Sequence, residues 1–191
     1  MALYTFRQLE NLPMQKTLAK SLLLQEPPPL TQPFDIFLSH SYTQRDQVLK
    51  IREDFERMGF TVYVDWIDDH QLDRSHVSRA TADRLRERMD HCRCLIYVDS
   101  EGADHSRWMP WELGYVDARH RSRVAILPIQ SQETSNFPVY RGQEYLSLYP
   151  YVDKCPPQDD PSHPTLWVNE APNTYVCLRS WLTFVEPYDR P

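Results

Sequence analysis

The sequence predicts an α/β domain built on a doubly wound parallel sheet of about five strands. Three observations predict it. From residue 34 onward, short β-branched and aromatic runs alternate with amphipathic stretches, an order that implies right-handed crossovers and a parallel sheet. Of the sixteen prolines, nine gather at Pro27 to Pro33 and Pro150 to Pro164, bracketing the alternating region as linker or loop. A hydrophobic fraction of 41% over 191 residues suits one domain with extensions and a real core.

Residues 1–26 carry Leu9, Leu12, Leu18, Leu22 and Leu23 at rough helical spacing and are expected to form a docking helix. Glu26-Pro27-Pro28-Pro29 stops it, so residues 1–33 read as helix plus linker. Phe34 to Leu38 reads as the first strand, followed by the polar turn Ser39-His40-Ser41. Asp46 to Met58 places Val48, Leu49, Ile51, Phe55 and Met58 on a helical period, with Gly59 where a left-handed cap belongs. Phe60 to Trp66 is expected as a second strand and the acidic stretch Ile67 to Ser75 as a solvated, partner-facing loop. A helix over 77–91, a strand over Cys94 to Val98, a helix over 106–119 and a strand over Val124 to Ile129 follow. Tyr145 to Val152 supplies a fifth strand and closes a domain of residues 34–152. The extension, 153–191, is read as a loop to residue 164 and a closing helix or strand over Tyr175 to Val185, packing on the domain.

Several functions are excluded by composition. A net charge of −6 argues against nucleic-acid binding, and the arginines between Arg74 and Arg93 are interleaved with acids, as on a solvated helix face. No apolar run approaches the roughly 20 residues needed to span a bilayer. Cys92, Cys94, Cys155 and Cys177 lack the two ligand pairs of a zinc site and read as free thiols in a reducing cytoplasm. Asp65, Asp68, Asp69 and Asp73 miss the spacing of a calcium loop, so no metal is expected. Four glycines in all exclude GxGxxG and P-loop signatures.

Ser106-Arg107-Trp108-Met109-Pro110-Trp111-Glu112-Leu113-Gly114 is the most informative segment. Proline is comfortable only in a first helical turn, so either Ser106 caps the helix or Met109 does, and both place Glu112 near its N-terminus. The positive end of the helix dipole favours an ionised carboxylate there, able to face a cationic sugar transition state. On local chemistry alone Glu112 also fits a capping role, with Trp108 and Trp111 as core.

Asp35-Ile36-Phe37-Leu38-Ser39-His40, then Val62-Tyr63-Val64-Asp65 with its following loop, then Trp108-x-x-x-Glu112-Leu113 stand in the order and spacing of a TIR (Toll/interleukin-1 receptor) domain. The chain resembles that family over residues 34 to about 150. The resemblance implies a flavodoxin-like fold and, with a glutamate in the WxxxE frame, cleavage of the nicotinamide glycosidic bond of NAD+ as substrate, with no cofactor and with Glu112 catalytic. Trp108 then supports the helix. Ser39, His40, Ser41 and Tyr42 border the nucleotide pocket, with Asp65 and Trp66 leading into the loop that gates it, although His40 on chemistry alone reads as a surface histidine. It further implies self-association through TIR–TIR contacts and a nucleotide signal to a separate effector in bacterial antiphage defence. The alternatives are a non-catalytic interaction module and a nucleoside deoxyribosyltransferase-like enzyme.

Overall fold

Burying both faces of a parallel sheet takes helices on both sides, and the chain supplies them between the successive strands of residues 34–130. The computed structural model describes residues 3–12, 26–41, 45–70, 72, 77–100, 106–119, 123–130, 138, 140, 143–157 and 162–189. Along the chain run β1 (Tyr4–Thr5), α1 (Phe6–Asn11), β2 (Phe34–Ser39), α2 (Arg45–Arg57), β3 (Val62–Tyr63), α3 (Asp65–Asp68), α4 (Arg79–Asp90), β4 (Cys92–Asp99), α5 (Met109–Arg119) and β5 (Val124–Gln130). A 3₁₀ helix (Glu144–Leu148), β6 (Tyr151–Cys155), β7 (Thr165–Ala171), β8 (Thr174–Cys177), α6 (Leu178–Trp181) and β9 (Tyr188–Asp189) complete it.

Across the sheet the order is β3-β2-β4-β5-β6-β7-β8-β9. The strands β3 to β6 in that order pair in parallel and form the doubly wound unit that the alternation predicts. From β2 the chain steps outward to β3, then returns across β2 to β4, so the winding reverses between β2 and β4. In such sheets the crevice for a ligand opens at that reversal, outside the carboxyl ends of the strands. One apolar cluster joins Val48, Ile51 and Phe55 of α2 to Ile36 and Leu38 on one face of the sheet. The other joins Leu85 and Met89 of α4 and Leu113 and Val116 of α5 to Phe37, Leu95 and Tyr97. Gly59 has φ +83, the left-handed conformation expected where α2 stops.

The sheet extends further than the sequence suggests. After β6, a meander of β7, β8 and β9 adds three antiparallel strands. The fifth strand starts at Tyr151 rather than Tyr145, because Glu144–Leu148 winds as a 3₁₀ helix. Residues 175–185 hold both a strand end and a short helix. At the other terminus, Tyr4 and Thr5 pair in parallel with Ile129 and Gln130, and the helix covers only Phe6–Asn11 among the described residues. Leu18, Leu22 and Leu23 lie outside them. The Thr5 side chain accepts from the Gln8 amide while Gln8 reciprocates, a capping box that starts the helix. Leu9 is fully buried in the α2 cluster, and Tyr4 donates to Asp54 at 2.6 Å, which also receives the Lys154 ammonium at 2.6 Å.

The acidic stretch after β3 is also corrected. The strand ends at Tyr63, and Asp65–Asp68 forms a helical turn. Asp68 and Asp69 are buried rather than solvated. Arg52 grips Asp68 with two bonds of 3.0 and 3.1 Å, and Asp69 receives Arg88, Arg84 and the Tyr63 hydroxyl. Burial opposes the charge on Asp69, but those donors outweigh it and hold its carboxyl below the ordinary range. Arg88 is itself wholly buried and also donates to the Pro28 and Pro29 carbonyls, so α4 is not a uniformly solvated face and the proline linker is anchored to it. Asp73 lies outside the described residues.

Within β6, Asp153 is 1% exposed. Asn169 donates to its Oδ1 at 3.2 Å, while Oδ2 is buried without a hydrogen bond. Burial pushes this carboxyl up to about 6, against the pull of Asn169.

Candidate active site

The helix α5 begins at Met109, with Pro110 in its first turn where no N–H is missed. The Met109 amide donates to Ser106 Oγ at 3.3 Å, so Ser106 closes the helix start from three residues upstream. Glu112 is thereby carried in the first turn, as its spacing from the proline requires. Its side chain turns into the protein and is 0% exposed.

There it meets the last residue of β2. Ser39 Oγ donates to Glu112 Oε2 at 2.6 Å, and Ser39 too is 0% exposed. This joins α5 to the strand at the reversal of the sheet. Shielding from water strengthens the field that such a carboxylate exerts on a nearby positive charge.

His40, the next residue, turns to the other side of the sheet and is 3% exposed, not at the surface. Its Nδ1 lies 2.8 Å from the Leu38 carbonyl, which only accepts, so Nδ1 carries the proton. That leaves Nε2 to accept the Trp66 indole N–H at 3.0 Å. The Asp65 carboxylate is 3.4 Å from the same nitrogen and 2% exposed. Trp66 is half-buried, with the Arg45 guanidinium 4.9 Å from its ring.

The candidate residues therefore fall into two groups back to back at the carboxyl edge: Ser39 with Glu112 under α5, and His40, Asp65 and Trp66 on the α2 side. Ser41 is buried just beyond β2, and Tyr42 lies outside the described residues. Trp108, 8% exposed, packs edge-on against Trp111 at 5.4 Å within the α5 cluster. Among the described residues no three His, Cys, Asp or Glu side chains gather as a metal site.

Sequence reasoning missed one neighbour. Tyr97 stands in register with Ser39 on β4 and donates to Gln143 at 2.6 Å, as does the Tyr145 hydroxyl at 3.0 Å. Burial raises the Tyr97 phenol far above its usual range, so it stays a donor. Its alternation with Leu95 in a predicted strand pointed to that face; nothing local pointed to Gln143.

Comparison with known proteins bears on this edge of the sheet. The family model described as "TIR domain" matches residues 36–160. A Bacillus cereus (strain MSX-D12) protein named "Probable 3' cyclic ADP-D-ribose synthase ThsB'" is 48% identical over 149 residues, 78% of this chain and 75% of its own length. A Cytobacillus dafuensis protein named "Putative cyclic ADP-D-ribose synthase TIR2" is 31% identical over 83 residues, 43% of this chain and 22% of its own.

Proposed function

This chain belongs to the TIR domain family, and from that membership we propose that it cleaves the nicotinamide–ribose bond of NAD+ and closes the remaining ADP-ribose into a cyclic nucleotide. The bond between ribose C1′ and the pyridinium nitrogen breaks with both electrons going to nitrogen, so neutral nicotinamide departs and C1′ is left as an oxocarbenium ion. An adenine nitrogen or ribose hydroxyl of the same molecule then attacks C1′ and gives up a proton; water in its place gives ADP-ribose. The names of the two relatives favour the internal acceptor. In this reading Glu112 stabilises the cation, and no cofactor takes part. The product acts as a signal to a separate effector in antiphage defence, as the family resemblance implies.

One observation carries the proposal: a carboxylate in the first turn of α5, inside the protein, at the point where the sheet reverses. Because Glu112 has no exposed surface, contact with a dinucleotide requires the carboxyl edge to open around it, on binding NAD+ or on self-association. That same burial favours a second reading, a non-catalytic interaction module in which Ser39 and Glu112 only brace α5 against β2.

Incubating concentrated protein with NAD+, following free nicotinamide and weighing the nucleotide product separates the two. The catalytic reading expects a product lighter than ADP-ribose by one water, and loss of turnover in Glu112→Gln with its melting transition retained. Nicotinamide release unchanged by Glu112→Gln removes that residue from the chemistry.

A further inference from the structure

We propose that Ser39 is the positioning residue for Glu112, fixing the carboxylate through its hydroxyl rather than touching the nucleotide. The inference rests on the glycosidic-cleavage reading. It also reassigns Ser39, which the family resemblance places at the border of the nucleotide pocket.

The Ser39 hydroxyl donates to Glu112 Oε2, and 2.6 Å is a short O–H···O bond. Neither side chain has exposed surface, so no bulk water stands ready to replace that donor. The two partners differ in rigidity. Ser39 ends β2, which is paired with β3 on one side and β4 on the other, so its Oγ is set by the sheet through one side-chain torsion. Glu112 reaches it from a helix first turn through three torsions. The sheet therefore gives the carboxylate a fixed anchor. A charge-stabilising group must be held to within about 0.5 Å of its productive place by neighbours that are themselves locked, and Ser39 is one such neighbour.

A positioning role and a purely structural one part company in kinetics. Ser39→Ala deletes a single oxygen and keeps the side-chain volume nearly intact. It is expected to lower kcat for nicotinamide release about 10- to 100-fold, the worth of one hydrogen bond to a charged group, with KM changed by less than about threefold. Ser39→Thr keeps the hydroxyl and should recover most of that loss. Wild type, Ser39→Ala, Ser39→Thr and Glu112→Gln are assayed side by side, with melting curves for each. The inference is overturned if Ser39→Ala turns over like wild type while Glu112→Gln is dead. A loss confined to KM, or a threonine variant as impaired as alanine, overturns it equally. If wild type releases no nicotinamide at any protein concentration, the cleavage reading itself falls and this inference with it.

Discussion

Replacing Asp153 by asparagine should stabilise the protein at neutral pH and leave it unchanged in acid. Asp153 is 1% exposed, with one oxygen bonded to Asn169 and the other buried without a partner. Its proton affinity rises from an ordinary 3.8 to about 6. At about 1.4 kcal/mol per tenfold change in affinity, ionised Asp153 costs the folded state about 3 kcal/mol at pH 7. The sign follows from which state holds the proton. Between about pH 4 and pH 6 the folded chain keeps it and the unfolded chain does not, so this residue's contribution is full below pH 4, falls through pH 6 and is flat above. Urea unfolding of wild type and Asp153→Asn at pH 4, 5, 6, 7 and 8 isolates it, because the difference between the chains cancels every other titrating group. The expected difference is close to zero at pH 4 and approaches about 3 kcal/mol in favour of the variant above pH 7. A difference that does not vary with pH, or one that shrinks as pH rises, would refute the reasoning.

Arg88→Met leaves Asp69 in the interior without its main cation and releases the Pro28 and Pro29 carbonyls. A loss of about 3 to 5 kcal/mol is expected by urea denaturation. Leu9→Ala removes a wholly buried side chain from the α2 cluster, and a loss of about 2 to 5 kcal/mol would mark residues 3–12 as part of the cooperative fold. If the unfolding midpoint does not move, that segment is merely attached. The effects of Glu112→Gln and Ser39→Ala on nicotinamide release complete the set.

The parallel half of the sheet was legible because its signal is local. Phe34 to Leu38 is an apolar run broken only by Asp35, Val124 to Ile129 is apolar throughout, and α2 keeps its period up to Gly59. The edges were not. β1 and β9 have two residues each, too few for any pattern, and exist because a partner strand is already in place. The acids after β3 looked solvated because charge ordinarily means exposure, yet Arg52 and Arg88 arrive from 16 and 19 residues away to neutralise them. His40 was misread for the same reason: the indole that buries it belongs to Trp66, 26 residues along. Glu112 could be placed in a helix first turn from its proline alone, but that its carboxylate would meet Ser39, 73 residues earlier, is a property of the assembled sheet.

Ser39 and His40 adjoin in sequence yet serve opposite sides of the molecule, one reaching under α5 and the other toward α2. Side chains leave a strand in alternate directions, so the frame in which β2 is read decides which residue goes where. One residue inserted or deleted within Phe34–Ser39 would exchange the two addresses, sending an imidazole toward the acid and a hydroxyl toward the indole. The short stretch of backbone between them is thus a hinge of meaning rather than of motion: neither half of this edge can be re-engineered by shifting the strand without rewriting the other.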